Sequence, residues 1–288
     1  MIQRLFNWRN CAIALATLVL CIACATSSQE ASFTDRTASE HQNDTPVASE
    51  MASSEPSVPV TATTVEYATV NGETVTGYLA KPENAEEPLP AIIAIHEWWG
   101  LNENIEAMAR KIAGEGYTVL AVDLYNGQVA ETPENARQLM QSVMDNPAPA
   151  QDNLQQAYDY LMNEQNAPKV GTIGWCFGGA WSLQTALLLP EAIDATVIYY
   201  GQLVTDAEQL ATLEMPILGI FGGQDSLIPV ETVREFEDTL AELDKNAEII
   251  VYEDAGHAFA NPSGDRYVPE AAEKAWAETQ AFFAEYLK

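Results

Sequence analysis

One cysteine lies where strand and helix signals meet. Cys176 is at the centre of residues 174–179, whose sequence is GWCFGG. The apolar run 169–173 predicts a buried strand, and residues 180–189, which lack Gly and Pro, predict a helix. A nucleophile at such a turn has a strained backbone, which glycines on both sides accommodate, and the helix start favours a thiolate. A small buried cysteine in a tight turn is the alternative reading of the same pattern.

Other side chains capable of acid–base chemistry follow predicted strands. They are His96 and Glu97 after residues 91–95, Asp225 after 217–221, and His257 after 247–252. Ligands of open parallel sheets bind beyond the carboxyl ends of the strands, so these side chains are expected to converge with the cysteine.

The roles of these residues follow from their loops. His257 lies in a glycine-containing loop after the last strand and is the expected base, with an ordinary loop histidine as the alternative. His96 is expected to be structural or a wall of its loop, with direct catalysis as the alternative. Asp225 is expected to orient the base, although a turn or capping aspartate before Pro229 is the alternative. Asp123 also ends a strand, but it precedes the cysteine and is expected to be structural.

The amino-terminal residues 1–24 predict an export signal. Arg4 and Arg9 make a basic start, and an uncharged apolar run ends at Cys24. The small residue before Cys24 resembles a bacterial lipoprotein signal, although Cys21 stands where leucine is usual. We therefore expect an exported protein, periplasmic or at the outer surface and lipid-anchored at Cys24. Simple cleavage or an uncleaved anchor is the alternative.

Residues 25–62 are rich in Ser, Thr, Glu and Pro and predict a disordered tether. A segment of this composition buries too little apolar surface to offset its loss of conformational entropy. Residues 63–288 are long enough for one domain. Within them, apolar strands alternate with helices after a hairpin at Asn71-Gly72, which predicts an α/β fold with a mostly parallel sheet covered by helices on both faces.

Charge and cysteine content exclude several classes of function. The formal net charge is −29, and it becomes −31 once Arg4 and Arg9 leave with the signal. Such a surface repels nucleic acid and anionic lipid, so a lipid anchor is the one membrane contact expected. Three of the four cysteines lie in the signal and His41 lies in the tether. The domain is therefore predicted to have neither a disulfide nor a metal site.

Residues 63–288 resemble the dienelactone hydrolase family, the cysteine-nucleophile branch of the α/β-hydrolases. The order nucleophile, acid, histidine is also that of the α/β-hydrolases. The segments that carry the resemblance are His96-Glu97-Trp98-Trp99-Gly100, Asp123-Leu124-Tyr125, Gly174-Trp175-Cys176-Phe177-Gly178-Gly179, Gly222-Gly223-Gln224-Asp225 and Gly256-His257-Ala258-Phe259.

The resemblance implies an α/β-hydrolase fold and a triad of Cys176, His257 and Asp225. It further implies that Glu97 holds the resting thiol until substrate arrives, and that the amides of Trp98 and Phe177 form the oxyanion hole. Aromatic side chains around these positions suggest a pocket wall with His96. They are Trp99, Tyr125, Trp175 and Phe259, together with Trp98 and Phe177, although each is as compatible with the core.

Two positions depart from the family pattern. Members that cleave dienelactones place arginines where this chain has Gly127 and Asn261, and that pair holds the substrate carboxylate. Because bidentate arginine is the favoured device for binding a carboxylate, the substrate is expected to be neutral. Arg266 or Lys274 supplying the missing contact is the alternative.

The sequence thus predicts a hydrolase of a small-molecule carboxylic ester or lactone, which uses no metal or organic cofactor. Two alternatives stay open, namely acyl transfer to an alcohol or amine, and binding of a ligand or partner without turnover. The sequence makes no prediction of the oligomeric state.

Overall fold

The computed structural model describes residues 32–46, 55–261 and 266–288. The predicted signal and its Cys24 lie outside the described residues. None of the helices within those ranges is long and apolar enough to cross a membrane. The strands are β1 (Val60–Val70), β2 (Glu73–Pro82), β3 (Ala91–Ile95), β4 (Thr118–Val122), β5 (Val170–Trp175), β6 (Ala195–Tyr199), β7 (Ile217–Gly222) and β8 (Ala247–Tyr252).

The helices flank this sheet and one of them precedes it. They are α1 (Phe33–Glu40), α2 (Glu103–Gly114), α3 (Pro133–Asp145), α4 (Ala148–Asn163), α5 (Phe177–Leu188), α6 (Ala207–Leu210), α7 (Val230–Glu242) and α8 (Pro269–Leu287).

The strands form one sheet in the order β1-β2-β4-β3-β5-β6-β7-β8. β1 and β2 are an antiparallel hairpin, β2 pairs antiparallel with β4, and the remaining neighbours are parallel. The hairpin turns at Asn71 and Gly72, whose φ angles of 53° and 83° match the left-handed turn that this dipeptide favours. The predicted α/β fold with a mostly parallel sheet is confirmed.

Side chains of the central strands alternate between two buried layers. In β3, Ile93 and Ile95 pack into one layer with Leu154 of α4, whereas Ile92 packs into the other with Ile105 of α2. The alternation follows from the two-residue period of a strand, and burial on both faces explains why β3 and β4 are continuous apolar runs. This arrangement fixes the carboxyl ends of β3, β5, β7 and β8 along one edge.

The predicted disordered tether is wrong for residues 33–40, because these residues form α1. Ser32 caps the helix by accepting a hydrogen bond from the Asp35 amide at 3.1 Å. The helix docks on α3 through a salt bridge of 3.3 Å between Asp35 and Arg137. Phe33 and Ala38 of the segment also pack against the core, so polar and apolar contacts together dock the helix. The sheet also begins earlier than predicted, since β1 starts at Val60 rather than after residue 62.

Candidate active site

Cys176 occupies the turn between β5 and α5, as the sequence predicts. Its backbone has φ 54° and ψ −114°, a strained conformation for a residue with a Cβ, and its side chain is 4% exposed. A Cβ on Gly174 would collide with the backbone of Gly178, and one on Gly178 would collide with the carbonyl oxygen of Ile95. The glycines therefore let α5 begin directly against the end of β3.

His257 and Asp225 meet at the same edge of the sheet. His257 Nδ1 lies 2.8 Å from Asp225 Oδ2, and both side chains are buried. The other oxygen, Oδ1, accepts hydrogen bonds from the amides of Leu227 and Ile228 at 2.8 and 2.9 Å. The carboxylate is thus fixed by the loop after β7 and in turn fixes the imidazole, leaving Nε2 for another partner.

The charges around His257 favour its protonated form. Burial alone would lower the pKa of this imidazole, but the Cys176 thiolate and the Asp225 carboxylate outweigh burial and raise the pKa to about 10. An imidazole held between an acceptor carboxylate and a thiol can take the thiol proton and return it to a leaving group.

Glu97 is buried at the end of β3 and is held by two amides. Asn261 Nδ2 donates to its Oε2 at 2.5 Å, and Asn104 Nδ2 donates at 3.3 Å. Burial raises the pKa of Glu97, while these two hydrogen bonds act in the opposite direction. Asn261, one of the two positions without the family arginine, therefore serves Glu97 in this chain. The hydrogen bonds of the Glu97 carboxyl, among the described residues, come from these amides and not from Cys176.

His96 and Asp123 hold the loops beneath the site. His96 Nδ1 donates to the Glu97 carbonyl oxygen at 2.6 Å, and its Nε2 accepts from the Leu124 amide at 3.1 Å. Asp123 accepts hydrogen bonds from the amides of Tyr125 and Gly127, which closes the turn after β4. Both residues have the structural contacts expected from the sequence.

The aromatic residues divide between the site and the core. Phe177 stacks on His96 with ring centroids 5.7 Å apart, and Trp98 packs on Trp99 at 4.8 Å. Further ring pairs join Tyr125 to His96, Trp175 to Tyr199 and Phe259 to Tyr200. A cavity of about 320 Å³ lies beside Phe177, and Phe33 of α1 and Trp181 of α5 contribute to its wall. Of the predicted pocket residues, Phe177 lines this cavity.

His41 is a site residue that the sequence analysis missed. It is 3% exposed, and its ring lies 5.4 Å from the ring of His257 and 5.0 Å from that of Trp98. Burial, followed by the charges of His257 and Arg266, lowers its pKa. Ser-x-x-Asp at residues 32–35 is a helix-start signal that could have indicated α1, but nothing in the sequence places His41 over the site.

Arg266 holds the amino-terminal segment, residues 32–46, in place. Its Nη1 donates to the Glu40 carbonyl oxygen at 2.6 Å, its Nη2 contacts the Asp44 carboxylate, and Nη2 also lies 2.6 Å from His41 Nδ1. Lys274, the other candidate for binding a substrate carboxylate, pairs with Glu270 at the surface. Both cations are therefore engaged with carboxylates of this chain.

Comparison with known proteins agrees with this geometry. The model of the dienelactone hydrolase family matches residues 75–287. A protein of Aquifex aeolicus, described as "Putative carboxymethylenebutenolidase", is 32% identical over an alignment of 225 residues, and the match covers 76% of this chain and 96% of the relative. A relative of the same description from Escherichia coli K12 is 31% identical over 258 residues, covering 84% of this chain and 94% of its own.

A solved structure of similar sequence has the same fold. The crystal structure of a Klebsiella pneumoniae protein described as "Putative Dienelactone Hydrolase" superposes with a TM-score of 0.71 at 29% identity. It covers 79% of this chain and 100% of the Klebsiella chain. The matched region contains Cys176, Asp225 and His257, whereas α1 and His41 precede the match of the family model. This chain belongs to the dienelactone hydrolase family and is a hydrolase.

Proposed function

We propose that the protein hydrolyses a neutral carboxylic ester or lactone through an acyl-enzyme on Cys176. The observation that carries the proposal is the line of contacts from the Asp225 carboxylate to His257 Nδ1, and from His257 to the cysteine at the strained turn. Each group has the chemistry that nucleophilic catalysis needs, in the order in which it is used.

In the first half-reaction, the thiolate of Cys176 attacks the substrate carbonyl carbon while the proton of the thiol resides on His257. The carbonyl electron pair moves onto the oxygen and forms an oxyanion. Phe177 is the first residue of α5, so its N–H has no partner within the helix and can donate to that oxygen. We propose the amide of Trp98 as the second donor, and one such donor contributes about 3 kcal/mol by precedent.

Collapse of this intermediate breaks the bond to the alcohol oxygen, which takes the proton from His257. A thioester on Cys176 remains. In the second half-reaction His257 removes a proton from water, the resulting hydroxide attacks the thioester, and the thiolate leaves with its electron pair. Asp225 keeps the imidazole oriented in both halves. The products are the acid and the alcohol.

The preference for a neutral substrate rests on the cations near the site. Asn261 donates to Glu97, and Arg266 is engaged by Glu40 and Asp44. The name printed for the relatives, carboxymethylenebutenolidase, denotes cleavage of a butenolide, which is a lactone, with a carboxymethylene group. We propose that the substrate here shares the ester or lactone carbonyl but lacks the carboxylate, because a buried carboxylate without a cation is costly.

Mass spectrometry of the intact protein, exposed to a panel of activated esters and lactones, tests the proposal. We expect an acyl adduct that maps to Cys176 and decays with time, and we expect Cys176→Ala to lose both the adduct and hydrolysis. Cys176→Ser should retain at most a trace of activity, because a hydroxyl is far less acidic than a thiol. Activity of the alanine variant within tenfold of the parent would rule out this nucleophile.

Acyl transfer is the competing outcome of the same acyl-enzyme. Adding an alcohol during turnover separates the two reactions, since hydrolysis gives the free acid whereas transfer gives a new ester. We further propose that the protein is exported and lipid-anchored at Cys24, a proposal supported by the sequence of residues 1–24.

A further inference from the structure

The amino-terminal segment brings a second imidazole to the thiol. One ligand atom from each of His41, Cys176 and His257 lies within 4.8 Å of the others, and all three residues are buried. The sequence predicts no metal site, because His41 falls in residues 25–62, whose composition predicts a disordered tether. The folded segment removes that reason.

The two histidines present matching nitrogens. Each has Nδ1 close to a buried carboxylate, with His41 Nδ1 lying 2.6 Å from Asp44 Oδ2 and His257 Nδ1 lying 2.8 Å from Asp225 Oδ2, although His41 Nδ1 also lies 2.6 Å from Arg266 Nη2. In the described part of the chain, both Nε2 atoms are buried and neither makes a hydrogen bond of ordinary geometry, the Cys176 thiol being the neighbour that His257 has on this side. A histidine that donates Nδ1–H to a carboxylate and presents a bare Nε2 is the usual arrangement of a metal ligand. His257 has this arrangement with Asp225, and His41 has it with Asp44 when Arg266 donates to Asp44 and not to Nδ1.

We propose that Cys176 Sγ, His257 Nε2 and His41 Nε2 form a zinc-binding site. One thiolate with two imidazoles suits Zn²⁺, and three protein ligands leave the fourth tetrahedral position for water. Ligands of a tetrahedral zinc lie about 3.5 Å apart, and these three atoms lie within 4.8 Å of one another, so binding requires each pair to approach by about 1.3 Å at most. The thiol and imidazole protons leave to solvent, and Arg266 remains on Asp44 and on the Glu40 carbonyl.

Zinc in this position has two consequences. It occupies the nucleophile and the base together, which blocks the reaction, and it ties the amino-terminal segment to the carboxyl ends of β5 and β8. The blocking effect rests on the proposed function, whereas the binding itself does not. The site is therefore a reversible, inhibitory zinc site, and His41 of the amino-terminal segment completes it.

Cobalt substitution tests the site without any measurement of hydrolysis. Titration of the full chain with Co²⁺ should produce a near-ultraviolet thiolate-to-cobalt band and the visible bands of a tetrahedral ion, and Zn²⁺ should displace both. Cys176→Ala should lose the thiolate band even though Cys11, Cys21 and Cys24 remain, so it corrects for any binding by those thiols. His41→Gln should weaken Co²⁺ and Zn²⁺ binding by at least about 100-fold.

Two further variants distinguish a direct effect on the metal ligands from an effect on the docking of the amino-terminal segment. Asp44→Asn keeps all three ligands and removes one carboxylate partner, so we expect about 10- to 100-fold weaker binding. Asp35→Asn, a change on the same segment at the salt bridge with Arg137, should bind as the parent does. Binding of Co²⁺ to His41→Gln with the affinity and spectrum of the parent would overturn the proposal. Absence of a thiolate band in the parent would overturn it as well.

Activity provides the second arm. If the protein hydrolyses esters as proposed, Zn²⁺ should inhibit it, a chelator should restore it, and His41→Gln should need at least about 100-fold more zinc for the same inhibition. Zinc inhibition of equal strength in the parent and in His41→Gln would show that His41 is not a ligand. If no ester is hydrolysed, the cobalt spectra alone decide the site.

Discussion

Replacing Asp44 by asparagine is expected to shift substrate preference toward esters that bear a carboxylate. Arg266 faces two carboxylates in the parent, with Glu40 at 3.7 Å and Asp44 in direct contact, so this cluster has a net charge of −1 beside the site. Neutralising Asp44 leaves one guanidinium opposite one carboxylate. An anionic substrate would then meet a neutral cluster.

The size of the effect follows from distance. Asp44 Oδ2 lies 2.6 Å from the His41 ring, whose centroid is 5.4 Å from that of His257. A substrate carboxylate placed at His257 would therefore lie about 8 Å from the Asp44 carboxylate. At an effective dielectric constant of about 20, the repulsion between these two charges is about 2 kcal/mol, which is about 30-fold in kcat/KM. We expect the parent to prefer the neutral ester by at least about 100-fold, or about 2.7 kcal/mol. Asp44→Asn should then reduce this preference to a few-fold.

The assay compares 4-nitrophenyl pentanoate with 4-nitrophenyl hydrogen glutarate, which have the same leaving group and the same number of acyl carbons. The ratio of the two kcat/KM values cancels any common effect of a variant on the triad. Asp35→Asn is the matched control, because it removes an equal charge from the same segment at a position salt-bridged to Arg137 and 52% exposed. Its ratio should stay within about twofold of the parent.

Two results would refute this reasoning. A parent enzyme that cleaves both esters equally well, and that loses the glutarate activity alone in Arg266→Ala, would show that Arg266 binds the substrate carboxylate despite its contacts with the segment. An unchanged ratio in Asp44→Asn would show that the charge of this cluster does not reach the substrate.

Three further predictions concern stability and processing. In a urea titration, Gly178→Ala should lower the free energy of unfolding by about 3 kcal/mol or more, because its Cβ would collide with backbone oxygens. The control Gly256→Ala should lower it far less, because its Cβ would meet nothing closer than 3.8 Å. Burial raises the pKa of Glu97, so above about pH 4.5 the folded state holds a proton that the unfolded state has lost, and the free energy of unfolding should fall as the pH rises. Glu97→Gln should make the free energy of unfolding less dependent on pH in this range. An equal pH dependence in both proteins would contradict this prediction. Cys24 should carry lipid and the mature chain should sediment with membranes, whereas a soluble chain beginning downstream of Cys24 with a free amine would exclude anchoring.

The sheet and the residues at its edge could be predicted because the signals are local. Residues 91–95 are a continuous apolar run between Pro90 and His96, and β3 has those same bounds. The edge follows from the parallel order, since the carboxyl ends of such strands lie together. Cys176, Asp225 and His257 therefore needed no contact information to be grouped.

The amino-terminal segment could not be predicted because its docking depends on distant polar partners. Arg266, which holds Glu40 and Asp44, lies more than 220 positions further along the chain. Composition indicates only that the segment lacks apolar residues, and this is true of a disordered tether as well as of a helix docked by salt bridges. The role of Asn261 could not be predicted for the same reason. In the sequence it stands where the family has an arginine, and only the structure shows that it donates a hydrogen bond to Glu97.

The docking of α1 through Arg266 also sets an order of events during folding. The segment is made well before its anchor, because Arg266 lies more than 220 positions after Glu40 and Asp44. Contacts of such long sequence separation require closure of a large loop and form after local ones. The newly folded sheet thus presents its thiol before the segment covers it. In the native protein the segment, held in part by the exposed salt bridge between Asp35 and Arg137, should also be the first part to detach, so amides of residues 33–41 should exchange hydrogen long before those of β3 and β5.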